Sequence, residues 1–212
     1  MQIFDLYPTP VGVFSCSNHS YYKDLTFQLI NGDNSRIDTL EQVYRDENNN
    51  VLKFVDEFHP LKKHIENLCK TFNESTYAYN CDEWILVNSW INLHDSVKNF
   101  HTHANSFYSG TYYVNLKEHE HSRISFLKTE PEKSAPFIEI EKRKQTKYNA
   151  HVVEFKNYQE GDILIWRSEL QHGVPPRLDV DNAAQKNRIT LAFNLVPKEI
   201  FWGAYGFKIQ AE

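Results

Sequence analysis

Two histidines, His101 and His103, stand one residue apart in the segment HTHANSFYSGTYYVN (101–115), directly before a run of aromatic and β-branched residues. Side chains of residues i and i+2 project to the same side of an extended chain, so the two imidazoles can converge on one metal ion. Two exposed polar residues at the start of a strand would give the same pattern. A metal site therefore requires a third ligand from elsewhere in the chain.

The candidate third ligand is His172, in the segment GDILIWRSELQHGVPP (161–176). It follows an apolar strand, and the glycine and prolines after it are expected to prevent that strand from continuing. A histidine at a strand end faces the mouth of a barrel, where ligands tend to bind. Three protein ligands on one face of a metal leave positions open for substrate and oxygen, as in non-haem Fe(II) oxygenases.

Arg188 follows His172 by sixteen residues and opens the strand RITLAFNLVP (188–197). A guanidinium that points into a pocket can bind a carboxylate through two parallel hydrogen bonds. An exposed arginine at a strand start is the alternative interpretation. A second HxH pair, His119 and His121 in KEHEHS (117–122), lies in a predicted turn, and it is interpreted as a surface or packing feature rather than a metal site.

The elements that would position these residues are predicted in the second half of the chain. Short apolar or aromatic runs with polar breaks between them predict strands, and six or more such runs indicate a β-sandwich or jelly roll. Alternation gives two of these strands a polar face, which could line a pocket or face solvent. The polar faces comprise Ser109, Thr111, Tyr113 and Asn115 on one strand and Arg188, Thr190, Ala192 and Asn194 on the other.

The first half of the chain predicts helices that cover one of these sheets. Residues 20–29 and 51–72 have helical patterns, and Pro60 is expected to interrupt or restart the second helix. The 212 residues suit one domain (1–212), with an extended segment and helices over 1–80 and a β core over 81–200. The Lys- and Glu-rich segment 129–149 is predicted to be a surface loop.

Composition disfavours several classes of protein. The net charge of -5 and the pI of about 6.1 are not those of a strongly basic nucleic-acid-binding protein, which leaves only a local basic patch open. No apolar run approaches the roughly 20 residues that span a bilayer, and the N-terminus lacks the pattern of a signal peptide. Three cysteines without a CxxC pair favour the reducing cytoplasm. An exposed sheet edge would be compatible with a homodimer.

The order HxH, SGTYYVN, GDILIW, QHGVPP and RITLAFNL resembles that of the Fe(II)- and 2-oxoglutarate-dependent oxygenases. It is most similar to their prolyl-hydroxylase-like branch and to small oxygenases of this superfamily from bacteria and phages. The resemblance is strongest over residues 84–197. It implies a fold that is mainly β with α: a double-stranded β-helix (jelly roll) with N-terminal helices packed on one sheet.

The resemblance also implies the chemistry. Fe(II) would be the cofactor, and 2-oxoglutarate the cosubstrate that is converted to succinate and CO2 while a small-molecule or peptidyl substrate is hydroxylated. A prolyl or other amino-acid residue is the target by analogy. No catalytic residue is implied beyond the metal centre, whose ligands would be His101, the residue at position 103, and His172. The residues implied to bind 2-oxoglutarate are Arg188, Tyr113, Thr190 and Asn92.

The sequence departs from the family pattern at two places. Position 103 usually carries an acid, whereas here it is His103, which is either a third ligand or a neighbour of a two-histidine site. The link between His172 and Arg188 is long, so Arg177 is a rival for the cosubstrate carboxylate. Two other classes stay open: a cupin-like metalloenzyme that does not use 2-oxoglutarate, and a non-enzymatic jelly-roll binding module.

Overall fold

The computed structural model describes residues 2, 5, 8–93, 98–117, 121–128, 143–147, 150–175, 187–202 and 205–209. The helices are α1 (His19–Gly32), α2 (Val51–Phe54) and α3 (His59–Ser75), with 3₁₀ helices at Asn34–Arg36 and Asp56–Phe58. The strands are β1 (Gly12–Ser15), β2 (Ile37–Asp38), β3 (Val43–Tyr44), β4 (Trp84–Leu93), β5 (Lys98–His101), β6 (Tyr108–Asn115), β7 (Ser125–Leu127), β8 (Val152–Glu154), β9 (Asp162–Arg167), β10 (His172–Val174), β11 (Ile189–Pro197), β12 (Glu199–Trp202) and β13 (Tyr205–Lys208).

Two antiparallel sheets form the body of the fold. The larger sheet has the strand order β1-β9-β6-β11-β4-β3-β2, and the smaller has the order β5-β10-β7-β8. β12 and β13 form a separate hairpin. Strands that are distant in sequence are neighbours in both sheets, as in a jelly roll. The predicted mainly-β fold class with a double-stranded β-helix is confirmed.

The helices pack on the outer face of the larger sheet. α3 has an apolar stripe whose buried members include Leu61, Ile65 and Phe72, spaced so that they share one face. They join a core cluster with sheet residues such as Leu86 and Leu191. The helices are thus predicted correctly in type and approximate position, and Pro60 lies in the first turn of α3, where proline is tolerated.

The inner face of the larger sheet is more polar, and strand β6 shows how the two faces divide. Tyr112 points outward, where its hydroxyl lies 2.7 Å from Nδ1 of His19 in α1. Nε2 of His19 in turn lies 3.2 Å from Glu160, and Lys23 donates to the same carboxylate over 2.6 Å. Tyr113 faces the opposite way, toward the smaller sheet. Strand β6 therefore contacts the helical layer through Tyr112, whereas the next residue, Tyr113, lines the space between the two sheets.

Two parts of the sequence interpretation need correction. Gly173 does not end a strand, because His172 itself begins β10 in the smaller sheet, with Gly173 inside it. Glycine is needed there because a Cβ would lie 2.6 Å from the carbonyl oxygen of Lys98 in β5. His101 likewise ends a strand rather than starting one. Most of the predicted loop 129–149 lies outside the described residues.

Candidate active site

Three histidines converge between the two sheets. His101 ends β5 and His172 begins β10, and the antiparallel register places these two residues directly opposite each other. His103 follows His101 just beyond the strand. The potential ligand atoms of the three side chains all lie within 4.8 Å of one another. The three histidines that the sequence singles out therefore lie together in the structure.

Hydrogen bonds fix the ring orientation of two of these histidines. Nδ1 of His101 donates to the carbonyl oxygen of Asn99 over 2.7 Å, and Nδ1 of His172 donates to that of Leu170 over 2.9 Å. A neutral imidazole that donates from Nδ1 keeps the lone pair on Nε2. Both rings therefore offer Nε2 to a metal, in the arrangement that outer hydrogen bonds give to metal-bound histidines. The indole of Trp166 packs edge-on against His172 at 4.8 Å between ring centroids.

His103 is held by a different network. Its backbone N–H donates to the carbonyl oxygen of Ser168, and its Nδ1 faces the side-chain amide of Asn194 at 3.5 Å. The Asn194 amide bonds to Asn88 over 2.8 Å and accepts from Ser109 over 2.7 Å. These buried contacts leave the ring little freedom to turn. Its Nε2 consequently points toward Nε2 of His172.

Burial keeps two of the rings neutral. It lowers the pKa of His103 to about 4, with a further contribution from His101. Burial also lowers the pKa of His172 to about 3, partly offset by the Leu170 carbonyl. Neutral imidazole is the form that binds metals, so near pH 7 neither ring has to release a proton first.

The donor set fits a small divalent cation. Nε2 of His103 lies 3.2 Å from Nε2 of His172. Two ligands at right angles around a metal, with bonds of about 2.1 Å, lie about 3 Å apart. Three imidazole ligands suit first-row metals such as iron. Fe(II) therefore matches the distance between His103 and His172 and the chemistry of the three donors.

A cavity of about 210 Å³ adjoins the histidine cluster. Its walls come from both sheets, so it occupies the interior of the double-stranded β-helix. The residues that line it are Val43, Arg45, Trp90, Asn92, Lys98, His101, His103, Gly110, Thr111, Tyr113, Ile124, Trp166, His172, Gly173, Val174, Arg188, Thr190, Ala192 and Phe193. All seven residues predicted from the sequence to bind metal or cosubstrate are among them.

A polar row crosses three neighbouring strands on one wall of the cavity. The register of β11 pairs Thr190 with Tyr113 on one side and with Asn92 on the other. The Asn92 amide lies 3.4 Å from the Thr190 hydroxyl. The Tyr113 hydroxyl is fully buried on this wall. Burial raises its pKa well above the ordinary value, so the hydroxyl keeps its proton and can donate to a ligand.

Arg188 lies beside this row, just before β11 begins. It is only 4% exposed, and its guanidinium carbon lies 5.8 Å from the ring centroid of Tyr113. A buried guanidinium on the wall of a cavity is suited to a carboxylate. Its rival, Arg177, lies outside the described residues, as does His119 of the second HxH pair. Nδ1 of the buried His121 accepts a hydrogen bond from the backbone N–H of Lys117.

Sequence analysis missed several residues of this cavity. Trp166 lies in an apolar strand, and alternation from Leu164 could have assigned it to the inner face. Trp90 could have been found in the same way, because it shares a face with Asn92. Arg45 and Lys98 carry no sequence signal, because only tertiary pairing brings their short strands to the cavity.

A double-stranded β-helix that encloses a cluster of three histidines is typical of jelly-roll metalloenzymes. The comparison with known families is more specific: residues 88–194, about half of the chain, match the model of the family described as "Putative 2OG-Fe(II) oxygenase", and the chain belongs to this family. It is accordingly an oxidoreductase of the class that uses Fe(II) and 2-oxoglutarate. No curated protein sequence matches the chain significantly.

Several solved structures share the fold. HygX from Streptomyces hygroscopicus, solved with nickel, 2-oxoglutarate and hygromycin B bound, has a TM-score of 0.55 and 12% identity, with 89% of this chain and 83% of HygX covered. A prolyl-4-hydroxylase from Pseudomonas putida has a TM-score of 0.51 and 11% identity, with 88% and 86% covered. AviO1 from Streptomyces viridochromogenes has a TM-score of 0.53 and 10% identity, with 88% and 89% covered.

None of the helices in the described part of the chain is long and apolar enough to cross a membrane.

Proposed function

We propose that the chain hydroxylates a small-molecule or peptidyl substrate at the cavity between its sheets, with His101, His103 and His172 as the iron ligands. The convergence of the three imidazoles is the observation that carries the proposal. When held by these residues, Fe(II) would activate O2: one oxygen atom would enter the hydroxylated product and the other the succinate that forms, with CO2, from 2-oxoglutarate. The protein contributes the positions of the reacting groups and their shielding from water.

Arg188, Tyr113, Thr190 and Asn92 form the proposed cosubstrate site. Arg188 would bind the far carboxylate of 2-oxoglutarate through two hydrogen bonds, and the Tyr113 hydroxyl would donate a third. Thr190 lies next to Tyr113 in the sheet and is placed to assist, while Asn92 orients the Thr190 hydroxyl. Support comes from the burial of Arg188, Tyr113 and Thr190, since a buried pocket strengthens each charged hydrogen bond.

His103 is the proposed third ligand rather than a neighbour of a two-histidine site. Its Nε2 is as close to Nε2 of His172 as two ligands of one metal are. An imidazole in place of a carboxylate leaves the centre one unit more positive. Such a centre would bind the dianionic cosubstrate more strongly than a site with one carboxylate ligand.

The target is proposed to be an amino-acid residue or derivative, with proline as the first choice to test. The similar fold of the Pseudomonas putida prolyl-4-hydroxylase supports this choice, whereas the hygromycin B complex of HygX shows that the fold also accommodates an antibiotic. Fold alone does not determine substrate. A cytoplasmic location, a single domain over 1–212 and a homodimer stay predictions, and light scattering after size-exclusion chromatography would test the last.

An anaerobic titration tests the proposal. Metal-free protein is titrated with Fe(II) and then with 2-oxoglutarate, and visible absorbance is recorded. A weak charge-transfer band near ~500 nm is expected once both are bound, and it should be absent in His172→Ala. Iron binding without a band would contradict the cosubstrate assignment and favour a cupin-like metalloenzyme. Protein that binds no iron would be a jelly-roll binding module.

A further inference from the structure

The charged residues that line the cavity are all cationic. Among the described residues that line it, Arg45, Lys98 and Arg188 are cationic, and none is an aspartate or glutamate. Arg188 is buried beside Tyr113 and Thr190, the proposed cosubstrate residues. That assignment leaves Arg45 and Lys98 without a role in binding 2-oxoglutarate.

Arg45 and Lys98 mark the open side of the cavity. The Arg45 side chain is 43% exposed, and Lys98 is half-buried. Arg45 directly follows β3, which pairs with β4 of the larger sheet. Lys98 begins β5 on the opposite sheet, across from Val174. The two cations thus approach the same opening from both sheets.

Their existing partners satisfy these cations only in part. One amino group of Arg45 lies 2.6 Å from the Glu41 carboxylate, an exposed contact. Nζ of Lys98 donates to the backbone carbonyl of Glu41 over 3.0 Å and forms no ion pair with any described residue. Burial lowers the pKa of Lys98, which means that its charged form lacks full solvation there. An anion at the opening would supply that missing stabilisation.

The size of the cavity directs a substrate to this opening. Its volume of about 210 Å³ is below the roughly 300–1,000 Å³ of pockets that enclose drug-sized ligands. A bound cosubstrate at the Arg188 end would occupy much of that space. The rest of a substrate would then extend toward the exposed side of the cavity, where Arg45 and Lys98 lie.

We propose that the substrate carries an anionic group, a carboxylate or a phosphate, that binds Lys98 and Arg45 at the mouth of the cavity while its reactive part reaches the histidine cluster. This inference rests on the proposed function, because it takes the Arg188 end as the cosubstrate site. It narrows the substrate to acidic small molecules or to peptides with an acidic group close to the reacting residue.

The test uses the protein loaded with Fe(II) and saturating 2-oxoglutarate under anaerobic conditions. Two matched pairs of probes are titrated by calorimetry: N-acetylproline against N-acetylprolinamide, and N-acetyl-O-phosphoserine amide against N-acetylserine amide. The anionic member of at least one pair is expected to bind about tenfold more tightly than its neutral partner, and added salt should reduce that preference. The pair that shows the preference distinguishes a carboxylate from a phosphate.

Variants locate the binding. In Lys98→Ala/Arg45→Ala the preference should disappear, whereas Lys70→Ala, an exposed lysine on the distant helix α3, should keep it. Three results would overturn the inference: no anion binds, the neutral probes bind equally well, or the preference survives in the double variant. A probe that removes the ~500 nm band would also overturn it, because that probe competes at the Arg188 end. Failure of 2-oxoglutarate itself to bind would instead contradict the proposed function.

Discussion

Replacing Arg188 should separate cosubstrate binding from every other property of the site. In Arg188→Met the side chain keeps much of its apolar length but loses the charge and the fork of donors. The guanidinium is almost fully buried, so water cannot replace it easily. Removing one partner of such a buried, hydrogen-bonded charge pair costs about 2–5 kcal/mol. A loss of about 3 kcal/mol weakens 2-oxoglutarate binding roughly 150-fold.

Arg188→Lys gives the intermediate case. Lysine keeps the charge but donates as a point rather than as a planar fork, so one of two hydrogen bonds is lost. A loss of about 1.5 kcal/mol, or roughly tenfold in the dissociation constant, is expected. Affinity for Fe(II) should stay unchanged in both variants, because Arg188 lies outside the histidine cluster.

The measurement is the dissociation constant of 2-oxoglutarate for the Fe(II) protein, from the ~500 nm band and from calorimetry. Arg167→Met is the matched control, since that arginine is also largely buried but packs on the Phe107 ring and does not line the cavity. The reasoning is refuted if Arg188→Met binds the cosubstrate within about twofold of the unchanged protein. A loss of affinity in Arg177→Ala instead would assign the carboxylate to the rival arginine.

Three further predictions concern the metal site. Gly173→Ala should force β5 and β10 apart and weaken Fe(II) binding at least tenfold, while the far-UV circular dichroism spectrum stays unchanged. Gly32→Ala is the control, because Gly32 has open space around it and the variant should bind Fe(II) normally. Equal Fe(II) affinities of the two variants would contradict the role of the close approach between Gly173 and Lys98. Asn194→Ala should lower Fe(II) affinity about 10–100-fold by freeing the His103 ring, and unchanged affinity would show that the amide does not hold it. The melting temperature of the metal-free protein should fall as the pH drops from about 6.5 toward 4. The reason is that His103 and His172 become protonated in the unfolded chain over this range but stay neutral in the folded protein, where burial lowers their pKa. A melting temperature that does not change with pH would mean that both rings are protonated in the folded protein as well.

The strands that are long and amphipathic are the part of the fold that the sequence predicts best. β11 and β6 alternate clearly, and this alternation by itself assigns Thr190 and Tyr113 to the correct face. The short strands β5 and β10 are not predicted, because their few residues are held by pairing with distant segments rather than by local preference. The sequence of residues 38–43 is ambiguous for the same reason, and the structure has short strands at Ile37–Asp38 and Val43–Tyr44.

The candidate site shows the same division. The histidine set and Arg188 are identified by their order and spacing, because few residue types can perform that chemistry. Asn194 is placed on the correct face by alternation, but its contact with His103 is not predicted, since it joins residues that are far apart in the chain. Lys98 and Arg45 are indistinguishable in sequence from other exposed cations. Only the pairing of β3 and β5 with their neighbours brings them to one opening.

The two faces of strand β6 have a practical consequence for shortening the chain. A fragment that starts at residue 81 would retain all three histidines and Arg188, yet it would remove His19 from the Tyr112 hydroxyl and the helices from the outer face of the sheet. The exposed apolar face would favour aggregation, and Tyr113, the next residue along, would lose its fixed position. A minimal catalytic unit for expression should therefore begin before α1, even though no residue of that helix lines the cavity.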